Sequence, residues 1–397
     1  MNEAAAPGSS CPRPIRILSL MEGNHVNGPA KILISIARHG REEARRITMG
    51  DYLEITPVIY SRGGSMPDML IEGLAANGIP YEMLHEKWRF DTSIVGQLRR
   101  IVDKLQPDVL ESHMVKSHFF VRFSGLRRTH RWIAFHHGYT KVDLKVEIYN
   151  QFDRWSLSQA RRVITVCDYF AGQLIRQGIP RERIGVQHNS VPPFQPPAEA
   201  EVQALRAAHG LTGNQPVLLA VGRLSPEKGF GDLLDAAAIL RARDPNFRLL
   251  IMGEGQQRAH LESLIQRHGL TRHVIMPGYA GNMAAYYALA SILVISSHSE
   301  GSPNMLLEAM AAGLPVVTTS AGGIPEMVTS GKDALIVPVR NSLRLAGAIG
   351  ELLNDRSLAR RLGEAGLESA RSRYTIAAHY ASLLRMYQGL IKQDARQ

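Results

Sequence analysis

This sequence predicts an α/β architecture of two doubly wound, Rossmann-like domains, on three observations. The chain has 397 residues, more than a single core usually serves. Short apolar runs alternate with longer amphipathic segments along its length, the pattern of parallel sheets joined by helical crossovers. A proline-rich stretch, residues 191–200 (VPPFQPPAEA), divides these runs into two series and reads as a stiff connector.

The first series places strands at 15–20, 55–60, 109–112, 132–136, 163–167 and 184–187. The second places them at 217–222, 248–253, 274–277, 292–296, 316–319 and 335–338. Each is a short apolar run, and most are separated by a segment of helical period. The last segment, 376–391, spaces Ile376, Tyr380, Leu383, Leu384 and Tyr387 as one face of a helix and can pack on either domain. The expected division is a disordered leader at 1–13, an N-terminal domain at 14–192 and a linker at 193–200. A C-terminal domain at 201–375 and a closing helix at 376–397, set against the N-terminal domain, complete it. Open parallel sheets bind ligands at the carboxyl ends of their strands, so two sheets facing across a cleft place the chemistry just after predicted strands.

Composition narrows the class. Hydrophobic residues make up 45% and charged residues 21%, ordinary for a globular enzyme. No apolar run approaches the ~20 residues of a membrane span, and the opening residues lack a signal-peptide pattern. Cys11 and Cys167 form no disulfide framework, which fits a reducing, cytoplasmic setting. The net charge of +10 is uneven: 26 Lys and Arg face 19 acids up to residue 195, against 20 and 17 beyond it. Arg127, Arg128, His130 and Arg131, beside Trp132, form the densest cluster. It reads either as a solvated helix end or as a contact for an anionic membrane surface or an acceptor. No reading motif accompanies the charge, so nucleic acid is not an expected partner.

Four segments carry candidate chemistry. After strand 292–296 comes SHSEGSPNMLLEAM. Ser302 followed by Pro303 predicts a helix start with a hydroxyl cap and proline at the first position. The N–H groups of Asn304 and Met305 then suit a phosphate. Glu300 precedes this helix and Glu308 lies about two turns inside, where carboxylates can accept sugar hydroxyls; a capped helix with two stray acids explains the same letters. After strand 217–222, Arg223 and Lys228 flank a Ser-Pro turn and can neutralise a diphosphate, or are simple surface charges. His136 and His137 end a strand before Gly138, where one imidazole can bond a sugar hydroxyl or fill a structural role. The first strand runs into a loop with Gly23 and Gly28, and Pro29 opens the next helix. Dinucleotide and P-loop glycine patterns, an Asp-x-Asp loop and a zinc-type His/Cys set are all absent. No metal or cofactor is therefore expected.

In this order the segments resemble the retaining GT-B glycosyltransferases of family 4, also described as glycosyl transferases group 1, whose motif is Glu-x7-Glu. Glu300 and Glu308 have that spacing, VGRLSPEKGFGDLLDA resembles the family's Gly-Arg-Leu…Lys-Gly segment, and LEAMAAGLPVVTTSAGGIPEMV resembles the stretch after the second glutamate. His188-Asn189-Ser190-Val191 stands where the family often has Pro-Asn-Gly-Val. The resemblance implies transfer of a hexosyl unit, without metal, from a nucleoside diphosphate sugar held by the C-terminal domain. A UDP-sugar is expected ahead of GDP-mannose, with a glycan or lipid-linked saccharide as acceptor in cell-surface polysaccharide synthesis. It further implies that Arg223 and Lys228 clamp the diphosphate, Glu308 holds ribose and Glu300 meets the donor sugar. Gly301, Ser302, Pro303, Asn304, Met305 and Leu306 would cradle phosphate and sugar through the backbone. His137 would reach the donor sugar, Gly28 the phosphates and Glu254 the nucleotide. Pro303-Asn304 departs from the glycine often found there, and the N-terminal loop from the usual Gly-Gly form, so the donor sugar stays open. Two competing classes remain: a nucleotide-sugar epimerase-like enzyme and a non-catalytic sugar or polyanion binder.

Overall fold

The computed structural model describes residues 13–22, 28–62, 68–88, 91–138 and 144–394. The chain forms two compact units: Met1–Val166, Ala171–His188 and Ile376–Gln397 make the first, and Cys167–Phe170 with Asn189–Thr375 the second.

In the first unit, strands β1 (Arg13–Glu22), β2 (Asp51–Arg62), β3 (Glu82–Glu86), β4 (Val109–Ser112), β5 (Arg131–His136), β6 (Arg162–Thr165) and β7 (Ile184–Val186) form one sheet. Their order is β3-β2-β1-β4-β5-β6-β7, and every pairing is parallel. Alternate side chains serve opposite faces. Leu18, Leu20, Leu110 and Trp132 pack into one core, and Ile17, Ile59, Ile133 and Ile164 into the other. Helix Ile376–Asp394 belongs to this unit and adds Tyr380, Leu383, Tyr387 and Leu390 to the second core.

The second unit repeats the design with β8 (Val217–Val221), β9 (Arg248–Met252), β10 (Val274–Gly278), β11 (Ile292–Ile295), β12 (Val316–Thr319) and β13 (Leu335–Val337). The sheet order is β10-β9-β8-β11-β12-β13, again all parallel. Leu219, Leu250, Leu293 and Val316 face one side and Leu218, Leu249, Val294 and Val317 the other.

Every expected run forms a strand, and one strand escaped the sequence. β3 (EMLHE) pairs only with β2 at the sheet edge and buries only Leu84 and Glu86, too few apolar positions for a hydrophobic run. Boundaries also shift. The units divide at His188 and Asn189, and residues 199 and 200 already lie in helix Glu199–Ala208. Val191 bridges Thr375 and donates its N–H to the Tyr374 carbonyl at 2.8 Å, which ties the start of the proline-rich stretch into the second unit. Arg13 opens β1, and the rest of the expected leader lies outside the described residues. Among the described residues no helix is long and apolar enough to cross a membrane.

Candidate functional site

The second sheet reverses its order between β8 and β11. At such a point the loops leaving the two strands diverge and open a ligand crevice at their carboxyl ends. The loop after β8 carries Arg223 and Lys228, and the loop after β11 carries Glu300. Three bonds lace these loops together. Ser296 Oγ donates to the Lys228 carbonyl at 2.9 Å, the His298 N–H to the Glu227 carbonyl at 2.8 Å, and the His298 ring meets Asp232 at 2.8 Å. The approach requires Gly229, whose φ is +63° and whose added Cβ would lie 2.2 Å from the Ser296 carbonyl oxygen. Gly322, at φ +54°, is pressed as closely on the Glu300 carbonyl, which also accepts the Gly323 N–H at 3.0 Å.

Lys228 Nζ donates to Glu300 Oε1 at 2.7 Å, and the Ser297 hydroxyl donates to the same oxygen at 2.6 Å. Glu300 is 8% exposed and the Lys228 side chain 18%. Arg223 is 62% exposed and donates to Glu227 Oε1 at 2.8 Å. Burial would raise the Glu227 pKa, but the Ser225 hydroxyl, its own N–H and the Arg223 guanidinium outweigh burial and hold it below the ordinary value. Both cations expected at a diphosphate are thus held by carboxylates in loops of the same crevice.

Helix Asn304–Ala311 begins at the mouth of this crevice, and its first turn corrects the expected cap. Pro303 is the cap residue, with ψ of 122°, rather than the first helical position. The Ser302 hydroxyl accepts the Asn189 N–H at 2.9 Å instead of capping the helix. Asn189 Nδ2 donates to the Ser302 carbonyl at 2.7 Å and to Asn304 Oδ1 at 2.8 Å. The N–H groups of Asn304 and Met305 have no acceptor among the described residues. Gly301 follows Glu300 in the loop, and the Leu306 side chain is fully buried, so Leu306 can offer a ligand only backbone. Glu308 sits one turn into the helix, not two, and accepts the Tyr287 hydroxyl at 2.7 Å. Burial first, then the Glu308 charge, raises the Tyr287 pKa well above its ordinary value. Glu254 follows β9 and pairs with Arg258 at 3.2 Å. The sequence shows Asn189 but assigns it no role. Nor does it single out Tyr287, whose partner Glu308 becomes a neighbour only on folding, or Ser297 and Glu227, whose side-chain partners lie within four residues.

His137 and Gly28 lie in the first unit. Gly28, rather than Pro29, opens helix Gly28–Arg46, and residues 23–27 lie outside the described residues. The first sheet reverses between β1 and β4, and His113 directly follows β4. The His113 ring stacks on Phe135 at 4.5 Å and on His137 at 5.7 Å. Its Nε2 meets Ser19 Oγ at 2.9 Å and Glu111 Oε2 at 3.2 Å. His137 Nε2 is buried with no partner among the described residues. Burial, followed by the charges of His113, His136 and His118, holds the His137 pKa well below its ordinary value, so this imidazole is neutral at neutral pH.

Trp132 does not belong to a surface patch. It is 1% exposed, and its indole N–H donates to Ser112 Oγ at 2.7 Å. Strand alternation turns it into the core one residue after the half-buried Arg131.

Comparison with known proteins follows the same two units. The family described as Glycosyltransferase Family 4 matches residues 53–193, and the one described as Glycosyl transferases group 1 matches residues 201–369. EpsD of Bacillus subtilis, provisionally described as a glycosyltransferase, is 24% identical over 77% of this chain and 82% of its own length. The GDP-mannose-dependent alpha-(1-6)-phosphatidylinositol monomannoside mannosyltransferase of Mycobacterium tuberculosis is 34% identical over 48% of this chain. The chain spans about half of that enzyme's length, 52%. Anabaena HepE, crystallised with UDP-glucose, superposes with a TM-score of 0.80 over 94% of this chain and 99% of its own. At 20% identity that likeness shows the fold, which is GT-B. With both units matched in order, the chain belongs to the family 4, group 1 glycosyltransferases.

Proposed function

We propose that this glycosyltransferase is retaining and metal-independent, and that it moves a hexosyl unit from a nucleoside diphosphate sugar to a hydroxyl of a glycan or lipid-linked saccharide. The observation that carries the reading is the Lys228–Glu300 pair at the order reversal of the second sheet, beside the open N–H groups of helix Asn304–Ala311. Departure of a nucleoside diphosphate builds negative charge. Arg223, Lys228 and the start of a helix can stabilise that charge without a metal ion. In this reading a phosphate takes the place of carboxylate on the two cations. Glu300, released from Lys228, then accepts a hydroxyl of the donor sugar, while Glu308, oriented by Tyr287, accepts ribose hydroxyls. Gly301 to Leu306 contribute backbone, and Glu254 stands towards the nucleotide. Attack by the acceptor on the face the leaving group vacates gives retention with no separate nucleophile. His137, neutral and half-buried, donates or accepts one hydrogen bond to the sugar rather than acting as a strong base. Gly28 is assigned to the phosphates.

A UDP-sugar is placed ahead of a GDP-sugar. HepE was crystallised with UDP-glucose, whereas the mycobacterial relative is named for GDP-mannose, so the base is the first thing to measure. The same relative is named for a lipid-borne saccharide acceptor, which supports an acceptor of that class; the setting of the proposal is cell-surface polysaccharide synthesis at the cytoplasmic face of the membrane. The test is a thermal-shift screen of UDP, GDP, ADP and their sugar conjugates in the presence of EDTA. A ligand that binds only the folded state raises stability with its concentration. One base is expected to shift the melting temperature, and the shift is expected to vanish in Glu308→Ala and Arg223→Ala. No shift by any nucleotide at millimolar concentration on folded protein would overturn the donor assignment. NMR of the product anomer against the donor anomer checks retention.

A further inference from the structure

The first unit carries a surface feature that the donor chemistry does not use. Helix Val115–Ser124 places Phe119 and Phe123 one turn apart, and helix Leu144–Leu157 places Phe152 and Trp155 opposite them. The four rings touch: Phe119–Phe123 at 5.7 Å, Phe119–Phe152 at 5.8 Å and Phe123–Trp155 at 6.0 Å. Phe123 is 60% exposed, Phe152 51% and Trp155 47%. A contiguous exposed aromatic patch marks an interaction surface.

Beside it lies a groove of about 670 Å³ lined by Arg127, Arg128, Arg131, Arg161, Arg162 and Arg183, with Glu182 as its one carboxylate. Arg131 opens β5, Arg162 opens β6 and Arg183 directly precedes β7. The groove therefore sits at the amino ends of these strands, whereas His137 follows the carboxyl end of β5. It is not part of the chemistry at that end of the sheet. No carboxylate pairs with Arg127, Arg128 or Arg162 among the described residues.

Patch and groove are one surface. Arg122 sits over Trp155, its guanidinium carbon 3.1 Å from the ring centroid, and donates to the Trp155 carbonyl at 2.5 Å. Ser158 Oγ donates to that same carbonyl at 2.8 Å, and the Ser158 carbonyl accepts Arg183 of the groove at 2.6 Å. Arg127 of the groove is close enough to Arg122 for its charge to lower the Arg122 pKa, after burial.

We infer that this face docks on an anionic bilayer, with the four rings at the acyl boundary and lipid phosphates in the arginine groove. Apolar aromatics beside arginines are the composition of an interfacial membrane surface, and the guanidinium charge of Arg127, Arg128 and Arg162 selects anionic headgroups. The inference deepens the reading of a lipid-linked acceptor and replaces Trp132 with Phe123, Phe152 and Trp155 as the interfacial aromatics.

The experiment uses the full chain with Trp88→Phe, which leaves Trp155 as the exposed indole. It is mixed with vesicles of phosphatidylcholine alone or of phosphatidylcholine with phosphatidylglycerol. Binding to the anionic vesicles only is expected, with Trp155 emission shifted to the blue and quenched by brominated acyl chains. Arg127→Glu/Arg128→Glu/Arg162→Glu is expected to lose at least about 100-fold in partition. Phe123→Ser/Phe152→Ser is expected to lose binding at an unchanged melting temperature. Both variants keep the nucleotide-induced thermal shift, so failure here is distinguishable from failure of the donor site. Undiminished vesicle binding by Phe123→Ser/Phe152→Ser overturns the inference. So does a concentration-dependent dimer that these substitutions abolish in a protein that ignores vesicles, because a second copy is then the occupant. Inorganic phosphate that protects the groove from arginine-directed labelling, with no vesicle binding, also overturns it, in favour of a soluble anion.

Discussion

Glu300 receives the Lys228 ammonium and the Ser297 hydroxyl on one oxygen while almost all of its side chain is out of water. A buried carboxylate that loses its cation keeps the desolvation cost and loses the compensation. Lys228→Met is therefore expected to destabilise the second unit by about 1–3 kcal/mol. Glu300→Gln, which keeps an acceptor for Ser297, is expected to cost less. Adding Glu300→Gln to Lys228→Met is then expected to restore part of the loss, because the orphaned charge is gone. The tryptophans, Trp88, Trp132 and Trp155, all lie in the first unit, so circular dichroism is the measurement. Lys228→Met as stable as the unsubstituted protein would show that the pair contributes nothing to folding. In catalysis Lys228→Met is expected to lower kcat by about 10²–10³, because the leaving diphosphate loses a cation.

Helix Ile376–Asp394 shows how one element holds a site it does not enter. Its Tyr380 hydroxyl accepts the Leu53 N–H at 2.9 Å, and its fully buried Tyr387 donates to Glu111, which in turn meets His113. Burial, then the Glu111 charge, raises the Tyr387 pKa well above its ordinary value, so the hydroxyl stays a donor. Tyr387→Phe is expected to cost about 1–3 kcal/mol, read by tryptophan fluorescence during urea unfolding; an unchanged midpoint would mean that Glu111 finds another donor. The sequence showed this helix through the spacing of Ile376, Tyr380, Leu383, Leu384 and Tyr387, but not its bond to Glu111, 276 residues away. The same limit holds elsewhere. Apolar runs such as VLLAV and ILVI announce parallel strands because both faces are buried, while EMLHE, at a sheet edge, carries no such signal. Lys228 and Glu300 were legible as residue types in the right order. Their contact was not, because it exists only where β8 and β11 lie side by side. Trp132 was misplaced because strand alternation, not proximity in sequence to arginines, decides which way a side chain turns.

Across the whole molecule, three imidazoles of the first unit, the buried His118 and His379 and the half-buried His137, set how stability depends on pH. Burial, against the pull of Asp153, lowers His118 to about 4; burial, against Glu111, lowers His379 to about 4; and His137 lies well below its ordinary value. In the unfolded chain all three bind a proton near 6.5. Between pH 6.5 and about 4 the unfolded chain therefore holds protons that the folded unit refuses, and stability rises with pH wherever that is so. The contribution is complete above pH 6.5 and is lost as pH falls towards 4, at about 1.4 kcal/mol per pH unit for each histidine. Glu227, whose pKa is lowered, contributes in the same direction, but only below the ordinary carboxylate range and in the other unit. The tryptophans confine the fluorescence signal to the first unit, so urea midpoints at pH 7 and pH 5 isolate the histidine window. His118→Asn and His379→Gln are each expected to flatten the slope by one histidine's share, whatever they do to absolute stability. A slope that neither variant changes would mean that these rings already carry protons in the folded protein, and that Asp153 and Glu111 outweigh burial.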